Sequence, residues 1–399
     1  METKKYIKEL ASGYFDDIVQ IRRHLHQYPE LSKQEKNTSD FICSELDKIQ
    51  GVYYTKNIGG YGICGFINGK SDNGNCVALR ADMDALPICE TTDLPFKSKT
   101  DGIMHACGHD VHIATLLGAI RIISQAKDLF EGRVMFIFQP SEEEYPGGAI
   151  TMIKDGVFKT TKPSAVFSFH TTPEMDCGKI GLKAGNYMAS TDEFYIKVIG
   201  KGGHGAMPNL NIDPIVVASN IIIALQTIVS RNAEPSLPTT LTVGNFITEG
   251  GRTNVTPQIV RLEGIIRTFD DAWRSQAHKL ITQIAEKTAE AFGAKADVFI
   301  DNGYPALFNN EDVTAKTKIL ATEYLGDENV LDLNVRMTAE DFAYFAKEIP
   351  ACYFRLGTRK QDKPITNLHS SDFDVDERSM EVGMGLEAFL GISYLNSLK

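Results

Sequence analysis

Residues 76–84 read CVALRADMD, and residues 110–126 read DVHIATLLGAIRIISQA. The first stretch is a short apolar run closed by acids, the pattern of a buried strand. The second is apolar on every turn and long enough for a helix. Further along come RVMFIFQP (133–140), GGAITMIKDG (147–156) and PSAVFSFH (163–170), which read as strand, helix and strand. Strands alternating with helices predict a mostly parallel sheet covered by helices on its faces.

The pattern changes near residue 186. DEFYIKVIG (192–200) reads as a strand and DPIVVASNIIIALQTIVSR (213–231) as a long apolar helix. TTLTVGNFI (239–247) and QIVRLEGIIRTF (258–269) alternate as paired strands. A second helix, AWRSQAHKLITQIAEKTAEAFG (272–293), leads into AKADVFIDN (294–302). This β-α-β-β-α-β order is ferredoxin-like. Mixed elements then return, ending in the helix MEVGMGLEAFLGISYL (380–395). The expected architecture is an α/β domain of residues 1–185 and 300–399, interrupted by an inserted α+β domain of residues 186–299.

The bulk composition narrows the function classes. The chain has 399 residues and a net charge of −11, from 41 Lys+Arg and 52 Asp+Glu. That sign argues against nucleic acid or an anionic membrane as partner. Seven dispersed cysteines, an odd number, do not form a disulfide framework. The start, METKKYIKELASGYFDD, has no apolar core of a signal peptide, and no run approaches a membrane span. The expected compartment is the reducing cytoplasm.

The chemistry-bearing residues gather at strand ends. Asp82 and Asp84 follow CVAL, Glu142, Glu143 and Glu144 follow RVMFIF, and His170 ends AVFSF. Ligands of open α/β sheets bind beyond the carboxyl ends of the strands. Cys107 and His109 precede a helix, and Gly108 between them allows a sharp turn. Residues two apart on a helix point apart, so this pair can reach one cluster only from a loop. His105 and His112 read as structural, hydrogen-bonded histidines. Three consecutive carboxylates repel unless a cation compensates. His369, in ITNLHSSDFDVDE, reads alone as an ordinary loop histidine.

Eight stretches occur together in one order: RRHLHQYPELS, ALRADMDALPI, MHACGHDVH, FQPSEEE, KGGHGAMP, TNVTPQ, EGIIRTF and LHSSDFD. In this the chain resembles the aminoacylase/carboxypeptidase-type metallohydrolases over nearly its whole length. The branch it is most similar to is the N-acyl-amino-acid amidohydrolases, with the hippurate, auxin-conjugate and N-acetyldiaminopimelate enzymes. The resemblance implies a zinc-metallopeptidase-like catalytic domain and a lid domain that dimerises. It implies two divalent ions per subunit, with Cys107 bridging, His109 and His170 on one ion, and Glu143 and His369 on the other. Glu142 would be the general base, and Asp84 would orient the ligands, with Asp82 in support. His204 would reach the active site of the other subunit, while Asn254 and Arg267 would bind substrate. Two positions depart from the family around the acidic pair: Ser141 and Glu144 stand where alanine and glycine are usual. Thr256 replaces a commoner isoleucine.

The donor set of thiolate, imidazole and carboxylate suits Zn²⁺, Mn²⁺, Co²⁺ or Ni²⁺. Two such ions acidify water and polarise an amide carbonyl. The expected reaction is hydrolysis of N-acyl-L-amino acids to a carboxylic acid and a free amino acid. A dipeptidase or carboxypeptidase on the same scaffold is the alternative, and a metal-binding protein without turnover is a third reading. Glu142 beside Glu143 speaks against the third, because binding alone needs no base.

Overall fold

The computed structural model of the protein describes residues 2–361 and 364–398. The chain divides into two compact units. The first comprises Met1–Gly185, Phe308–Asn334 and Asp341–Lys399, and the second Asn186–Leu307 with Val335–Glu340.

In the first unit, strand Cys76–Asp82 is buried at every position and pairs in parallel with Arg133–Gln139 and Ala165–Asp176. Ala351–Arg359 extends the sheet, parallel to Ala165–Asp176. These strands are nearly continuous apolar runs, as expected where both faces are covered. Antiparallel strands Val52–Ile58 and Gly62–Asn68 finish one side. The eight-stranded sheet is mostly parallel at its centre. Helices Glu2–Gln27, His109–Gln125 and Arg378–Leu395 pack on one another and share the main core with the sheet.

One expectation needs correction here. The strand that carries His170 does not end there but runs to Asp176, because Ala351–Arg359 continues to pair with it, past a register shift after Gly357↔Thr172, to Arg359↔Asp176. Its pairing with Cys76–Asp82 stops at Arg80↔Ser168, so His170 still lies beyond the last residue paired on that side.

The second unit holds strands Asp192–Ile199, Thr240–Glu249, Ile259–Arg267 and Lys295–Asn302 in one antiparallel sheet. Numbered within the unit, the spatial order is 4-1-3-2, with helices Pro214–Thr227 and Asp271–Ala291 packed on it. Trp273, Ala277, Ile281, Ala285 and Ala289 recur every fourth residue and bury one stripe of the second helix. Both helices start on a capping aspartate: Asp213 accepts from the Ile215 amide, and Asp270 from that of Trp273.

The second unit ends at Leu307, not at residue 299, because its last strand runs to Asn302 and a connecting segment follows. Residues 335–340 also return to it, a six-residue excursion that no local pattern announces. One further expectation is amended. Helix Pro214–Asn232 is long and apolar enough, by length and composition, to cross a membrane. Val217, Ala218, Ile221, Leu225 and Ile228 of this helix are buried in the core of the second unit.

Candidate metal centre

Asp82 closes its strand, and the chain then passes through Met83 to Asp84. The segment Met104–Gly108 returns to the same edge and turns into helix His109–Gln125. Gly108 makes that turn at φ 87°, and a Cβ there would meet Thr171 Oγ1 at 2.6 Å. Glycine is therefore required on two grounds, conformation and space. The turn separates Cys107 from His109, the first helical residue, so their side chains converge.

Cys107 Sγ lies 3.2 Å from His170 Nε2 and 3.3 Å from His369 Nε2. His369 Nε2 is also 3.2 Å from Glu143 Oε1. Two donor triads result: Cys107–His109–His170 and Cys107–Glu143–His369, with the ligand atoms of each within 4.8 Å of one another. They share Cys107. The ligand atoms of His109, Glu142 and Glu143 likewise lie within 4.8 Å of one another.

The ring orientations fit a metal. His109 Nδ1–H donates to the Asp84 carbonyl at 2.8 Å, and His170 Nδ1–H to the Thr171 carbonyl at 2.7 Å. Each tautomer leaves the Nε2 lone pair facing inward, and His109 Nε2 has no hydrogen-bond partner among the described residues. Burial pushes the Cys107 thiol well up, and Glu143 and Glu142 add to the effect. Only a cation makes a thiolate favourable here. Burial alone would lower His109, but Asp82 and Asp84 outweigh it and hold the ring at about 10. A divalent ion at Nε2 would take the place of that proton.

Asp84 binds the ligands together. Its Oδ2 accepts Ser32 Oγ at 2.6 Å and the Glu143 amide at 2.9 Å, while Oδ1 lies 3.3 Å from His109 Nδ1. Asp82 is held elsewhere: Arg80 Nη1 at 2.7 Å and His112 Nδ1 at 2.5 Å occupy its two oxygens. Burial would raise Asp82, yet His109, His112 and Arg80 outweigh it and hold the carboxyl well below the usual range. Of the two acids, Asp84 contacts the candidate ligands more directly.

His112 is satisfied on both nitrogens, since its Nε2 accepts the Thr171 amide at 3.0 Å. His105 corrects an expectation. It is buried, but neither nitrogen has a hydrogen-bond partner among the described residues. Burial lowers its pKa to about 4, so the ring stays neutral. Asp110, whose charge reaches His105, gives Oδ2 to Arg22 and His26 instead, each at 2.8 Å.

Several contributors carried no signal of their own in the sequence. Ser32, Arg80, Gln139 and Arg22 lie in quoted stretches and Asp341 outside them all, and nothing in their type or spacing announced a role. Arg80 is fully buried and also reaches Gln139 Oε1 at 2.8 Å and Asp341 Oδ1 at 3.0 Å.

His204, Asn254 and Arg267 belong to the second unit. His204 is exposed on the short strand Gly203–His204, paired with Val255, and the Asn254 carbonyl accepts the Gly205 amide at 2.9 Å. Those two residues are neighbours. Arg267 ends its strand half-buried, and its Nη1 is buried without a hydrogen-bond partner among the described residues.

Residues 78–389 match the model of peptidase family M20/M25/M40. The chain is 41% identical over 364 residues to the N-acetyl-L-cysteine deacetylase of Bacillus subtilis, covering 91% of this chain and 84% of that one. It is 40% identical to thermostable carboxypeptidase 1 of Saccharolobus solfataricus, over 99% of this chain and all of the relative. A Bacillus subtilis structure described as a dinuclear metal binding peptidase of the M20 family superposes with a TM-score of 0.84 at 32% identity, over 97% and 99% of the two chains. The chain belongs to peptidase family M20/M25/M40.

Proposed function

We propose that the chain is a metal-dependent amidohydrolase that splits the amide bond of N-acyl-L-amino acids. The observation that carries the reading is the pair of donor triads sharing Cys107, with Glu142 beside them. Cys107, His109 and His170 would hold one divalent ion, and Cys107, Glu143 and His369 the other. When bound, the ions supply acidified water and a polarised carbonyl. The mixed sulfur, nitrogen and oxygen donors suit zinc, manganese, cobalt or nickel.

Glu142 takes the proton of the attacking water and returns it to the nitrogen of the leaving amino acid. It is buried, so solvent competes little for that proton. Asp84 keeps His109 in the tautomer that leaves Nε2 free, and its bond to the Glu143 amide fixes the adjacent carboxylate. For the substrate carboxylate the reading assigns Arg267, because a half-buried guanidinium whose Nη1 is unpartnered among the described residues suits an anion. By family resemblance Asn254 is assigned to the acyl-amide region, and His204 to the active site of the other subunit in the dimer.

The reading includes a homodimer formed through the second unit. Support comes from Ile223, 70% exposed, with Ile215 and Val216 on the same apolar helix, and from the sheet-edge strand Thr240–Glu249 exposing Phe246 and Ile247. Apolar patches and open edges of this kind suit a partner surface. A sedimentation mass near the 44.1 kDa of one chain would exclude it. Seven unpaired cysteines fit a reducing cytoplasm.

Reconstitution with each metal, followed by kcat/KM on N-acetyl-amino acids, hippurate, N-acetyldiaminopimelate and dipeptides, tests the substrate class. The N-acyl amino acids are expected to rank first. A higher kcat/KM for dipeptides would turn the assignment to a dipeptidase or carboxypeptidase.

A further inference from the structure

Ser141 and Glu144, which flank the acidic pair Glu142–Glu143, both contact one short loop. Ser141 precedes Glu142 and holds a left-handed backbone, φ 56°, unusual for a residue with a Cβ. Its Oγ accepts the Lys33 amide at 2.8 Å and donates to Glu35 Oε1 at 3.0 Å. Its own amide donates to the same Glu35 oxygen at 2.8 Å. The neighbouring Ser32 holds Asp84, which in turn accepts the Glu143 amide. The loop 32–35 thus grips the acidic segment directly through Ser141 and indirectly through Asp84.

We infer that Ser141 is a positioning residue of this enzyme: its hydroxyl fixes the backbone from which Glu142 and Glu143 project, by joining it to Lys33 and buried Glu35. The inference rests on the reading of Glu142 as base and Glu143 as ligand. Alanine at 141 loses both hydroxyl bonds and keeps only the amide bond to Glu35. The Glu144 contact matters less. Lys33 Nζ and Glu144 Oε1 lie 2.6 Å apart, but their side chains are 53% and 57% exposed, where an ion pair contributes little. Ser141 bonds to fully buried Glu35, shielded from competing water. A small shift of the segment would misplace the base relative to the ions, and rate depends steeply on such placement.

The test uses the manganese-loaded full chain with N-acetyl-L-methionine and hippurate as probes. Ser141→Ala is expected to lower kcat about tenfold with KM changed less than about twofold. Amide exchange across residues 142–147 should quicken in the same variant, with and without metal. Ser141→Gly, which relieves the backbone instead of straining it, should lose as much kcat. Glu35→Gln keeps an acceptor for Ser141 and should stay within about threefold of wild type, while Glu35→Leu should match Ser141→Ala without adding to it. Glu144→Gln should remain within about twofold. Wild-type kcat and exchange in Ser141→Ala would overturn the inference. Glu142→Gln, run in parallel, separates the two claims: an inactive Glu142→Gln beside a fully active Ser141→Ala removes the clamp and leaves the base standing.

Discussion

Cys107 is the donor common to both triads, and its buried thiol sits against Glu142 and Glu143. A serine there keeps the volume but not an anion, because a hydroxyl gives up its proton far less readily than a thiol. Cys107→Ser is therefore expected to lower metal affinity by at least about 100-fold, more than loss of a supporting contact does. Metal content after dialysis against a weak chelator measures it, and full retention would contradict the bridging role. At this scale the sequence was legible where residue type is chemically distinctive. Cys107, His109 and the acidic triplet stand out because thiol, imidazole and adjacent carboxylates are rarely idle together. Ser32 and Arg80 do not stand out. A serine in a polar loop and an arginine inside a strand acquire meaning only through Asp84 and Asp82, which the fold brings to them.

Helix Arg378–Leu395 shows what element-scale patterns miss. It reads as an apolar core helix, and all but four of its positions are buried, yet Glu387 lies among the buried ones. Neither carboxyl oxygen has a hydrogen-bond partner among the described residues, and burial pushes the group well above the usual carboxylate range. The folded protein therefore keeps a proton that the unfolded chain releases above about pH 4.3. Stability should fall as pH rises from there toward the folded pKa, by up to about 1.4 kcal/mol per pH unit. Glu387→Gln should remove that slope, and Glu387→Leu should add about 1–3 kcal/mol at pH 8. Urea unfolding of the metal-free protein at pH 5 to 8 measures both, and an unchanged slope in Glu387→Gln would contradict the assignment. The parallel strands were legible because burial on both faces makes continuous apolar runs. Val52–Ile58 was not, since this edge strand buries none of its residues and so carries no continuous apolar run.

At the scale of the whole molecule, the division into two units followed from a change of pattern near residue 186, where strand–helix alternation gives way to paired strands. The return of Val335–Glu340 to the second unit was invisible, because six residues carry no periodicity to read. The five candidate ligands span residues 107 to 369 and come from a pre-helix loop, a helix start, a strand and two further loops. All five lie in the first unit, whose chain is assembled from segments on both sides of the insertion, and the order of eight family stretches stood in for that assembly in the sequence. The central claim is that these residues hold metal for a reaction in which Glu142 moves the proton. Its most direct test is Glu142→Gln, assayed for bound metal and for N-acyl-amino-acid hydrolysis on the same preparation. The expected result is wild-type metal content with kcat reduced at least about 100-fold; full amidase activity in the metal-loaded variant would contradict the account.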